Sequence, residues 1–185
     1  MKTHKFLLLF LLLTSLLSAQ GNNSGKNNMA SKPIARQQDP MERFEFLLGN
    51  WNLEYRVPKS SLGEADTGTG TGTFKRALDD KYVILEYTCS LTKTGRGQAQ
   101  GIFAWDDKSK VYRYWWFESS GSFSQATCNF IDDKTLFLTW HDTLLTQTFT
   151  KVSSGKVILR MEQPGPEGKS ELILEVILTR KEVAR

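Results

Sequence analysis

Residues 39–57, DPMERFEFLLGNWNLEYRV, read as a short capped helix that ends on a glycine and passes straight into an alternating strand. The Asp39 carboxylate can accept from the free backbone N–H groups of a first helical turn, and Pro40 stands where its missing N–H costs nothing. Glu42, three residues after the cap, completes a capping-box pattern. Met41, Phe44, Leu47 and Leu48 give the helix one apolar side. A helix this short has no stability of its own and must lie against something else, and Gly49 suits the left-handed position that turns the chain out of it. From there Trp51, Leu53, Tyr55 and Val57 alternate with Asn50, Asn52, Glu54 and Arg56, a period of two with one apolar and one polar face. The stretch reads as a lid and the first stave of a β-barrel.

Downstream, the same theme repeats. The spacing predicts strands at Trp51–Val57, Gly70–Leu78, Tyr82–Leu91, Gln98–Trp105, Val111–Phe117, Ser122–Ile131, Thr135–His141, Thr146–Val152, Lys156–Glu162 and Glu171–Arg180. Between them lie turn compositions such as Asp79-Asp80-Lys81, Ser119-Ser120-Gly121, Asp132-Asp133-Lys134 and Ser153-Ser154-Gly155. Hairpin-length links and no long crossover imply an all-β fold over residues 39–182, an antiparallel up-and-down β-barrel of about ten strands with a short N-terminal helix closing one end. Closure hides the sheet edges and leaves room inside for a small ligand. In the last strand Leu172, Leu174, Val176 and Leu178 share a phase that Arg180 then enters. An inward guanidinium needs a partner, and stacking on the Trp51 indole with its donors on backbone carbonyls is a good solution.

Gly49-Asn50-Trp51 with an arginine near the end of the last strand resembles the structural signature of the calycin superfamily, the lipocalins and fatty-acid-binding proteins. A nearer similarity is to the family known as DUF1579. It runs from the FLLGNW segment through the Trp105-Asp106 turn and the strand carrying Tyr112, Trp116, Glu118 and Ser119, to Thr179-Arg180-Lys181. Trp105 replaces that family's tyrosine and Glu118 its aspartate. The resemblance implies a lipocalin-like barrel closed by Gly49, Trp51 and Arg180, and carries no reaction with it.

Upstream of the barrel, Met1 to Lys5 is a basic start, Phe6 to Leu17 an apolar run broken only by Thr14 and Ser15, and Ser18-Ala19-Gln20 a small-residue cleavage site. That run is too short to cross a bilayer core of about 30 Å, so residues 1–19 read as a signal peptide and the protein as periplasmic or secreted. No cysteine follows to carry a lipoprotein anchor. Residues 20–38 are too polar to bury surface and read as a disordered tether. Losing Lys2 and Lys5 with the signal takes the formal charge from +4 to 4 − 2 = +2. The remaining basic residues are scattered, which argues against nucleic acid.

Several features invite chemistry. Thr67-Gly68-Thr69-Gly70-Thr71-Gly72-Thr73 is glycine-rich, but a phosphate loop needs Gly-Lys-Ser/Thr opening a helix, and this run continues as Phe74-Lys75-Arg76. A strand closely approached by its neighbours, or a bulge, explains it better. Only His141 survives signal removal, out of phase with Leu136, Leu138 and Trp140, and no activated serine is flagged beside His141-Asp142. No enzyme activity, metal site or cofactor is expected. The related nitrobindins bind haem through a histidine near their C-terminal strands, and Lys169-Ser170-Glu171-Leu172 has none. Cys89 and Cys128 could pair in an exported chain, but they sit three strands apart in a meander, and Cys89 shares the phase of Val83, Leu85 and Tyr87. Free buried thiols are favoured over a disulfide.

Aromatic content gives the functional expectation. Tyr112-Arg113-Tyr114-Trp115-Trp116-Phe117 is aromatic on both faces. The family alignment turns Tyr112, Tyr114 and Trp116 inward, with Tyr55, Phe103, Trp105 and Trp140. These seven either fill the barrel or line a cavity for an apolar or aromatic small molecule. Trp115 and Phe117, on the other face, could bind a protein partner. A small-ligand carrier, an interaction or inhibitor module with a filled barrel, and an enzyme using Glu86, Glu118 or His141 are the readings to separate.

Overall fold

In the computed structural model, which describes residues 39–165 and 168–182, the alternating segments become ten strands. They are β1 (Gly49–Val57), β2 (Asp66–Ala77), β3 (Tyr82–Leu91), β4 (Gly95–Asp106), β5 (Val111–Glu118), β6 (Phe123–Phe130), β7 (Thr135–Trp140), β8 (Thr146–Ser153), β9 (Lys156–Pro164) and β10 (Ser170–Arg180). Each pairs antiparallel with its sequence neighbours, and β1 pairs with β10 to close the barrel. The reason is local: every strand carries one apolar face, and closure buries those faces together while leaving no edge unpaired. The expected signal peptide, residues 1–19, and the expected tether, residues 20–38, lie outside the described residues.

The lid corrects the sequence reading. Pro40–Phe44 is a single 3₁₀ turn and not an α-helix. Its backbone bonds, and those of the residues that follow, all span three residues: Glu42 N–H to Asp39 O at 2.9 Å, Glu45 N–H to Glu42 O at 3.1 Å, Leu47 N–H to Phe44 O at 2.9 Å. Residues three apart eclipse one another in this geometry. Met41, Phe44 and Leu47 therefore stack on one side and are all buried, whereas Leu48 is only half-buried. The cap itself is as read, with Asp39 Oδ1 accepting from Met41 N–H at 2.9 Å.

Strand register sets Trp51 opposite Arg180. The guanidinium carbon lies 4.3 Å from the centre of the indole. Arg180 Nη1 donates to Leu48 O at 2.6 Å, Nη2 to Phe46 O at 3.3 Å and Nε to Ser154 O at 3.2 Å. The Trp51 indole N–H donates to Leu47 O at 2.7 Å. Gly49 has φ +113°, and a Cβ there would stand 2.6 Å from Arg180 Nη1. One arginine thus shields an indole and satisfies carbonyls of the irregular segment that crosses the barrel end.

Above the lid the barrel is filled with rings. Phe44 lies 4.9 Å from Phe103, 5.1 Å from Tyr112 and 5.5 Å from Phe130, centre to centre. Phe103 stacks on Tyr114 at 4.2 Å and 18°. On β2 the threonines face out and the glycines in. A Cβ on Gly68 or Gly70 would collide with the Ser90 or Thr88 carbonyl oxygen, so the run serves close strand approach. The start of β2 is pinned by the buried Asp66 carboxylate, which accepts from the N–H groups of Thr67, Lys93 and Thr94 and from the Thr92 hydroxyl.

Candidate functional site

Alternation turns Tyr55 of β1, Tyr87 and Cys89 of β3, Tyr114 and Trp116 of β5 and Trp140 of β7 inward, toward the end away from the lid. They enclose part of a cavity of about 470 Å³, completed by aliphatic side chains of β9 and β10 such as Met161 and Leu174. Its rings meet edge to face: Tyr87 to Trp116 at 5.4 Å and 62°, Tyr114 to Trp140 at 5.6 Å and 61°. Two of them are seated over glycines. A Cβ on Gly101 would lie 2.6 Å from the Tyr114 hydroxyl, and one on Gly72 would lie 3.0 Å from the Tyr87 ring. Large rings fit a narrow barrel here because the neighbouring strand offers no side chain beneath them.

The seven rings expected to line a cavity divide into two groups. Tyr55, Tyr114, Trp116 and Trp140 border it. Phe103, Tyr112 and Trp105 pack on the lid side of Tyr114, with Trp105 4.8 Å from Tyr112 and Tyr112 against Phe44. The inward face of β4 and β5 runs the full height of the barrel, so one phase supplies both core and cavity. Tyr87, Cys89, Gln147, Met161 and Leu174 also line it, although none of them was among the residues expected to line a cavity. Tyr87 and Cys89 share the inward phase of Val83 and Leu85 that the sequence shows; what the phase alone does not give is their height, at the cavity end of β3.

Polarity differs between floor and rim. At the rim the Trp116 indole N–H donates to Glu118 Oε1 at 3.0 Å, and the Ser124 hydroxyl to Asp142 Oδ2 at 2.7 Å. Deeper in, the Tyr87 hydroxyl and the Trp140 indole N–H are buried with no hydrogen-bond partner among the described residues. Their residues are 8% and 7% exposed. Burial pushes the phenols of Tyr55, Tyr87 and Tyr114 well above the ordinary tyrosine range, so all three remain neutral.

His141 is exposed, with Nε2 2.8 Å from the Thr127 hydroxyl, and Arg113 Nη1 donates to that hydroxyl at 3.0 Å. Asp142 is engaged by a different hydroxyl, that of Ser124. Imidazole and carboxylate therefore do not converge on one nucleophile among the described residues. Cys89 and Cys128 carry free thiols on β3 and β6, and burial pushes the Cys128 thiol up. Among the described residues no three of His, Cys, Asp and Glu gather as metal ligands, and no helix is long and apolar enough to cross a membrane. On the outer face Trp115 is half-buried, while Phe117, 42% exposed, pairs across strands with Phe123, 74% exposed.

The solved structures that resemble this chain are barrels. The crystal structure of Rv2717c from M. tuberculosis superposes with a TM-score of 0.55 at 11% identity, covering 78% of this chain and 99% of that one. The S-type phycobiliprotein lyase CPES from Guillardia theta gives 0.50 at 10% identity, covering 80% and 96%. At such identities the likeness is one of fold. No curated protein matches the chain in sequence. A family profile does, over residues 36–135. That span holds the lid, the Gly49-Asn50-Trp51 junction and β1 to β6, and it stops short of the expected likeness at Thr179-Arg180-Lys181. The chain belongs to the DUF1579 family, described as protein of unknown function.

Proposed function

We propose that this chain is an exported barrel that holds a small apolar or aromatic molecule in its open-end cavity and performs no chemistry on it. The observation that carries the reading is the cavity of about 470 Å³ walled by Tyr55, Tyr87, Tyr114, Trp116 and Trp140. Its size falls within the range of about 300–1,000 Å³ usual for small-molecule sites, and such sites combine apolar walls with few polar groups. Export rests on the basic, apolar and small-residue order of residues 1–20. The separate engagement of His141 and Asp142 supports binding without catalysis.

Titration with the neutral fluorophore 1-N-phenylnaphthylamine tests the reading. Saturable one-to-one binding is expected, weakened about tenfold by Trp116→Ala through lost ring contact. Absence of saturable binding, with native mass spectrometry of the exported protein showing no bound organic molecule, would overturn it. A second reading, docking of a protein partner, has the exposed Phe117–Phe123 pair in its favour. Phe117→Ser/Phe123→Ser leaves fluorophore binding unchanged if the cavity is the site.

A further inference from the structure

We infer that the molecule held in the cavity is a flat, uncharged compound presenting an acceptor oxygen, of the aromatic or conjugated ketone, aldehyde or quinone class, to the Trp140 indole N–H and the Tyr87 hydroxyl. The inference rests on the binding role proposed above and goes further by naming the ligand's chemistry. Its starting point is that both buried groups lack a partner among the described residues while both residues border the same cavity; neither polar atom is itself open to the cavity, so the guest reaches them by displacing the side chains that cover them. An indole N–H can only donate, so whatever satisfies it must accept. A buried donor without an acceptor is a standing penalty on the fold, tolerable where a guest supplies the missing atom.

Charge decides between acceptors. The charged side chains bordering the cavity are Glu118, Asp142 and Arg96, all exposed, and two of the three are carboxylates. Deeper in, the walls carry the phenols of Tyr55, Tyr87 and Tyr114, the Gln147 amide, the Cys89 thiol and the Trp140 indole. Burial keeps those phenols neutral. A carboxylate or phosphate head placed there would lose its hydration, and the cation bordering the cavity, Arg96, is exposed and outnumbered by the carboxylates of Glu118 and Asp142. A carbonyl oxygen loses far less and offers two lone pairs. Shape follows from the rings, whose edge-to-face arrangement leaves faces and edges for a planar guest.

The test uses a matched trio: 2-acetylnaphthalene, 2-isopropenylnaphthalene, in which a methylene replaces the carbonyl oxygen, and 2-naphthoate. Competition against 1-N-phenylnaphthylamine is expected to show the ketone binding about tenfold tighter than the alkene, as one or two hydrogen bonds would give. That preference should collapse toward unity in Tyr87→Phe/Trp140→Phe, with alkene binding retained as proof that the cavity is intact. In the ligand-free protein Tyr87→Phe should raise the melting temperature, since it deletes an unpartnered hydroxyl. Equal binding of ketone and alkene by the wild type overturns the inference and leaves the binding role standing. So does tighter binding of 2-naphthoate, or a ketone preference that survives the double substitution. Binding of none of the three, nor of the fluorophore, overturns both.

Discussion

Each end of the barrel contains a buried tryptophan and a buried tyrosine, and the two pairs are treated differently. Beside the lid the Trp51 indole donates to Leu47 O at 2.7 Å and the Tyr112 hydroxyl to Pro40 O at 2.8 Å. At the open end the Trp140 indole and the Tyr87 hydroxyl find no partner among the described residues. Ring packing does not separate the ends, because edge-to-face contacts run through both. Main chain does. Residues 39–48 cross one mouth and bring carbonyl oxygens to the rings beneath. Cavity and core are thus the same aromatic material, distinguished by whether the backbone returns to satisfy it.

The largest expected effect falls at the lid. Trp51→Ala should cost about 3–5 kcal/mol in urea denaturation, the range for emptying a buried large aromatic site. Trp116→Ala, half-buried at the open end, should cost under about 2 kcal/mol while weakening fluorophore binding. Equal losses at both ends would break the comparison. Next, Arg180→Met removes the indole's cover and leaves the Leu48 and Phe46 carbonyls unmet, for about 2–3 kcal/mol. Arg180→Lys should recover little of this, since an ammonium cannot lie flat on the ring and reach several carbonyls together.

A matched pair sharpens the contrast further. Tyr112→Phe should destabilise the protein by about 1 kcal/mol, whereas Tyr87→Phe should raise stability by a similar amount. The same sign for both, measured by thermal denaturation without ligand, would show that the two hydroxyls are not in different situations. The smallest effect is present at neutral pH and fades in acid. The Thr92 hydroxyl, with the backbone N–H groups around it, holds the Asp66 carboxyl at about 2. An unfolded aspartate titrates near 3.9. The folded chain therefore binds this proton less readily, so the contribution to stability is present above about pH 4 and is lost as pH falls toward 2. Asp66→Asn should flatten that part of the acid denaturation profile.

Most of the fold was legible because a period of two is a strong signal when turns bound it. Tyr82–Leu91 was read to the residue. β2 and β4 begin earlier than expected, at Asp66 and Gly95, because glycine-rich stretches carry little apolar pattern to mark a strand start. The lid was misread because Leu47 and Leu48 are both apolar, which suits an α-helical face, while the strict threefold spacing of Met41, Phe44 and Leu47 is what the chain uses. The inward phase of the rings was legible, but not their division: Phe103 and Tyr112 differ from Tyr114 and Trp116 only in height along the barrel. That Trp140 and Tyr87 lack partners lay beyond any pattern, since an unmet hydrogen bond is a property of everything surrounding it.

The Arg180 contacts also order events in time. They join residues 132 and 134 positions apart, linking the first part of the barrel to be synthesised with the last. A nascent chain still short of β10 leaves β1 with one flank unzipped and the indole bare, whatever its other hairpins have done. Contacts this distant in sequence form slowly. If the chain is exported as proposed, that delay is useful, because the barrel cannot lock shut before its final strand has been made.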